Sequence, residues 1–201
     1  MSRLPKVPRE DVTQELDAVF KRNEAAGGMV PNAWHILAHV PEIARAFVEL
    51  AIQTMRTERR VPTALKWMIG HVASRAAGCN YCMLHTVSNG DTTAKDEATR
   101  KKIDAVWEFE QSPLFTEAER AALRVALGAG VVPNAVTDAD FDALKRYYSN
   151  EEIVEIVAVI ALFGYLNRWN DTMQPELESK HLGYAAAHNL AQRGWQIGAH
   201  G

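Results

Sequence analysis

Apolar residues along this chain recur every three or four positions, and almost no run alternates strictly with polar ones, so the pattern predicts helices and no sheet. A first helix is expected over about 11–26, ended by Gly27 and Gly28. A short one follows Pro31 and Asn32, with Trp34, Ile36 and Leu37 as its apolar positions, and stops near Pro41. Residues 42–55 continue with Ile43, Ala46, Phe47, Leu50 and Ala51 on one face. Pro62 opens a strongly apolar helix over 63–77 that Gly78 closes, and 79–88 reads as the next, with Asn89-Gly90 as terminator. A charged amphipathic helix is predicted over 96–109. Thr116 to Glu119 has the form of a capping box ahead of an apolar run that ends at Gly128 and Gly130. A shorter helix covers 137–147, and a second capping box at Ser149 to Glu152 opens 153–166, the most apolar helix of all. A final amphipathic helix is expected over 180–197. The prediction is an all-α helical bundle.

The helices hold a repeat. Shifting the sequence by 88 positions lays Ile153 to Ala161 over Leu65 to Ala73 with their apolar positions in register, so roughly 60–90 and 148–178 read as a duplicated unit inside one domain spanning 1–201. The same shift sets Cys79-Asn80-Tyr81-Cys82 over Asn167-Arg168-Trp169-Asn170. Only one copy carries thiols, which marks them as a property of a site and not of the fold.

Composition narrows the functional classes. With 47% hydrophobic and 23% charged residues, the chain has the make-up of a globular protein that needs no disulfide or metal to hold its core. A formal charge of −3 gives no basic surface for nucleic acid or an anionic membrane. No window approaches the roughly 18 consecutive apolar residues of a membrane span, and residues 1–6 lack a signal-peptide core, so a cytoplasmic, reducing setting is expected.

In such a setting the two cysteines, Cys79 and Cys82, are informative because they form a C-x-x-C. On a helix, positions 79, 82 and 85 fall near one face, which brings both thiols and His85 together. Gly78 places the thiols in a first turn, where unpaired N–H groups favour the thiolate, the reactive form. His85 can take a proton from a thiol or return one to a leaving group. Other readings of the same residues are a zinc site completed by a further ligand, with His35 and His39 standing at i and i+4, a pair of core cysteines beside a satisfied histidine, and an inherited site no longer active.

Ala76 to Thr86, with glycine before C-x-Y-C and histidine one turn later, resembles the signature of the AhpD-like alkylhydroperoxidase and carboxymuconolactone decarboxylase superfamily. Val30-Pro31-Asn32-Ala33-Trp34 with Pro41-Glu42 is similar to the opening segment of its peroxidase-related branch, and 150–178 to its closing helices. The resemblance implies an all-α, duplicated helical fold, usually a homo-oligomer. It implies reduction of hydroperoxides without metal or organic cofactor, by a pair in which Cys82 attacks, Cys79 resolves and His85 handles protons. An unidentified thiol or disulfide electron donor would then restore the dithiol. It also leaves open the acid–base lactone decarboxylases of the same superfamily and a catalytically inactive helical oligomer. The apolar neighbours Met68, Val72, Met83 and Leu84 favour an alkyl hydroperoxide.

Two positions depart from the pattern. Trp67 stands twelve residues before Cys79, where the family has a relay glutamate, and His85 follows Cys82 by three residues instead of four. Glu155, twelve residues before Asn167 in the second repeat, is a candidate for the missing carboxylate. His71, two turns before Cys79, is a second candidate for proton handling, with a packed core histidine as the competing reading.

Overall fold

Several of these helices start where a side chain satisfies the first backbone N–H groups, and others where a proline stands at or just before the first turn. In the structure, a computed structural model that describes residues 2–201, Thr13 caps α1 (Gln14–Ala25), and Pro31 and Val40 precede α2 (Asn32–Leu37) and α3 (Pro41–Ala51). The stretch expected to continue to 55 ends instead in a π-turn, Ile52–Arg56. Then come α4 (Thr63–Ala77), α5 (Asn80–Thr93), α6 (Glu97–Asp104), α7 (Glu117–Gly130), α8 (Asp138–Lys145), α9 (Asn150–Met173) and α10 (Ser179–Ala187). Both halves of the capping box form at Thr116/Glu119 and again at Ser149/Glu152. Among the described residues every regular element is helical, as the periodicity predicts.

The chain divides into two compact units, residues 1–57 with 169–201, and residues 58–168. In the first, α1 and α3 pack around Phe20, Trp34 and Phe47, with the Trp34 ring contacting the other two. His35 and His39 each bond a carbonyl of the N-terminal segment, at Val7 and Pro5.

In the second unit α4 is the central element. Ten consecutive residues, Leu65 to Ser74, are buried, because α5, α7 and α9 all lie against it. At Gly70 a side chain of α9 packs directly on the α4 backbone: a Cβ there would overlap the Phe163 ring. Lys66, 1% exposed, reaches Glu155 of α9 at 3.5 Å.

Further predicted boundaries are corrected. α5 does not stop at Asn89-Gly90 but runs to Thr93, and Gly90 permits close packing, since a Cβ there would lie 3.2 Å from Trp67 Cβ. α9 extends beyond 153–166 at both ends. The final helix ends at Ala187, because Asn189 adopts φ +51° and leads into a short 3₁₀ turn, Leu190–Arg193.

The two segments of the sequence repeat also part at the site. Gly78 breaks α4 from α5, whereas its counterpart Leu166 lies within the unbroken α9. The thiols therefore open a helix, and Asn167 and Asn170 sit inside one.

Candidate active site

The site begins with a helix ending. Gly78 takes φ +80°, a left-handed conformation that an L side chain strains to adopt. That turn lets Gly78 N–H donate to the Arg75 carbonyl at 3.1 Å and Cys79 N–H to the Ser74 carbonyl at 3.0 Å, satisfying the last carbonyls of α4. The chain then reverses at once, and α5 packs antiparallel to α4, with Trp67 against Gly90 and His71 against Met83 and Thr86.

Cys79 is the N-cap of α5. Its Sγ accepts the backbone N–H of Cys82 at 3.4 Å, the place usually filled by the oxygen of Ser, Thr, Asp or Asn. A sulfur there is bathed by the positive end of the helix, and a thiolate would be the better acceptor. Cys82 lies three residues on, in the first turn, and both cysteines are in thiol form and buried, at 0% and 2% exposure. His85, one turn further, is also buried, and its ring stacks on Tyr81 with centroids 4.3 Å apart and planes 21° from parallel. The three predicted site residues thus share the opening two turns of one helix. The contribution of Tyr81, which fixes the imidazole plane, had its signal in the aromatic third position of C-x-Y-C.

The remaining candidates separate. Trp67, in the family glutamate's place, is buried on the α5-facing side of α4. Both Glu155 oxygens are engaged at the start of α4: they accept the N–H groups of Arg60 and Val61 at 3.3 Å, and one faces Lys66. Burial pushes the Lys66 ammonium below the usual lysine range, while the Glu155 carboxylate pulls it back up. His71 is 1% exposed and directs Nδ1 to the Met83 carbonyl and the Thr86 hydroxyl, each at 3.1 Å.

The sequence pattern of the carboxymuconolactone decarboxylase family matches residues 41–127, which include α4, α5 and all three site residues. The structure of the debrominase Bmp8 is 36% identical, with a TM-score of 0.81 over 91% of this chain and 96% of that one. A peroxidase-related protein with an AhpD core from Ralstonia eutropha JMP134 shares the fold, with a TM-score of 0.74 over 90% of this chain and 94% of that one at 24% identity. The uncharacterized protein YnjA of Escherichia coli strain K12 is 33% identical over 95 residues, 47% of this chain; the chain spans about half the length of that curated relative.

Proposed function

Because the chain belongs to the AhpD-like and carboxymuconolactone decarboxylase superfamily, in which it has enzymes for relatives, we propose that it is a dithiol reductase acting on hydroperoxides. The observation that carries this reading is the sulfur cap: Cys79 Sγ accepts the N–H of Cys82 at 3.4 Å, so two thiols share one helix start. In the reaction, the Cys82 thiolate attacks the terminal peroxide oxygen and the O–O bond breaks. The alkoxide leaves as an alcohol with a proton from His85, and Cys82 becomes a sulfenic acid. The Cys79 thiolate then attacks the Cys82 sulfur, forming the S–S bond, and hydroxide leaves as water on taking a proton. One hydroperoxide and two thiols give one alcohol, one water and one disulfide. An external dithiol returns the two electrons. The helix start favours the anionic form of Cys79, the nucleophile of the resolving step.

Stoichiometric peroxide followed by peptide mass spectrometry tests this. A Cys79–Cys82 disulfide is expected in the unmodified chain, and a trapped sulfenic acid on Cys82 in Cys79→Ser. Peroxide consumption unchanged in Cys82→Ser would end the proposal.

A second reading is favoured by the debrominase, whose cysteine-to-alanine variant has been solved with 2,3,4-tribromopyrrole and is 34% identical over 94% of this chain. The same two electrons can reduce a carbon–bromine bond. The thiolate takes the bromine, the carbon takes a proton, and the second thiol displaces bromide to give the disulfide. Release of bromide from a brominated pyrrole at a rate exceeding peroxide turnover would select this substrate class, and both reactions require Cys82.

A further inference from the structure

We propose that His71 is a positioning residue for Cys82, a link from α4 that holds the thiol-bearing turn of α5 in place. The Met83 carbonyl can only accept a hydrogen bond, so the His71 Nδ1 that lies 3.1 Å from it carries the proton. The same nitrogen lies 3.1 Å from Thr86 Oγ1, and that hydroxyl has the carbonyls of Cys82 and Met83 within 2.9 and 2.8 Å. One imidazole edge therefore engages the carbonyl of the residue after Cys82 directly and that of Cys82 itself through a hydroxyl. Helical carbonyls already receive an N–H from four residues on, and their second lone pair accommodates these extra donors.

The imidazole is fixed from behind as well. Trp107 meets it edge to face, with centroids 4.7 Å apart. Arg75 lies over that indole, 5.2 Å from its ring centroid, and donates to the Trp107 carbonyl at 2.7 Å. An apolar side chain would fill the volume of His71 without gripping α5. The grip matters because Cys79 is tied to α4 through its N–H to the Ser74 carbonyl, so a slide or rotation of the α5 turn against α4 disturbs the bond from the Cys82 N–H to the Cys79 sulfur. His71 thus sets the relation between the two sulfurs without touching either. Its functional meaning rests on the dithiol reading, but the geometric effect does not.

The experiment measures the alkylation rate of Cys79 against pH in the intact reduced chain, with iodoacetamide as probe and peptide mass spectrometry to resolve the two thiols. His71→Leu and the isosteric Thr86→Val are expected to move the midpoint of the Cys79 profile up by about one pH unit, because the Cys79 sulfur loses the Cys82 N–H it accepts, slowing alkylation at neutral pH about tenfold. His71→Asn, whose Nδ2–H can reach the same carbonyl, is expected to restore the midpoint. A folded His71→Leu with an unmoved midpoint overturns the proposal. Should that variant not fold, Thr86→Val carries the same decision. Nitrogen NMR of the unmodified chain adds an independent one: the neutral Nδ1–H tautomer supports the link, and the Nε2–H tautomer overturns it. If the midpoint moves but the unmodified chain reduces no peroxide, the dithiol reading fails and the positioning role stands. Peroxide turnover with an unmoved midpoint has the opposite meaning.

Discussion

At residue 79 a sulfur occupies the position that a hydroxyl or carboxylate takes at most helix starts. Serine keeps that function and alanine abolishes it, while both remove similar side-chain volume. Cys79→Ala is therefore expected to be less stable than Cys79→Ser by about 1 kcal/mol in urea unfolding. Equal stabilities would show that the cap contributes nothing. The Lys66–Glu155 pair follows a different rule. Lys66 is almost fully enclosed, so removing Glu155 takes away an opposite charge that offsets its burial. Glu155→Leu should destabilise by about 3 kcal/mol, and Lys66→Met together with Glu155→Leu by clearly less than the two single changes added. Additive losses would mean that the two side chains are energetically independent.

Among the elements, those whose ends are set by local chemistry were legible, and those set by packing were not. Gly78 closes α4 where the sequence places it, and Thr116 and Ser149 start their helices through their own side chains. Gly90 misleads because glycine serves two purposes; here the absent Cβ admits Trp67, and the helix continues. The same spacing argument placed Cys79, Cys82 and His85 on one helix start, since their relation depends only on i, i+3 geometry. The His71–Thr86 link was hidden, because it depends on how far α4 slides along α5, which no local pattern encodes. Interhelical closeness gives its own prediction at Gly70. Alanine there must displace the Phe163 ring, and overpacking of this kind lowers stability by about 1–3 kcal/mol, readable as a shifted denaturation midpoint with unchanged slope. At the start of α8, the bonds that Asp140 receives from the Thr137 hydroxyl and backbone N–H hold its carboxyl below the ordinary 3.8. The folded state thus binds this proton less readily than the unfolded one. The stabilisation is complete above 3.8 and fades as pH falls through the lower folded value, so Asp140→Asn should flatten the acid limb of the stability curve.

For the molecule as a whole, the thiol pair links redox state to stability. Bridging Cys79 to Cys82 removes the sulfur cap, a loss of about 1 kcal/mol. It also closes a four-residue loop in the unfolded chain, which removes about 2 kcal/mol of freedom from that state. The second effect is the larger, so the oxidised protein should be the more stable form by about 1 kcal/mol. In a chain of 201 residues that corresponds to a melting temperature higher by about 2–4 °C. By the thermodynamic cycle joining folding and oxidation, the fold then favours the disulfide over the dithiol, as a pair that gives electrons to its substrate requires. Calorimetry of the fully reduced and fully bridged chain measures the difference, and both thiols lie in the 58–168 unit. A lower melting temperature for the bridged form would mean that the cap and thiolate stabilisation at the start of α5 outweigh the loop term. The fold would then hold the pair reduced, and the electron flow proposed for it would run against its own stability.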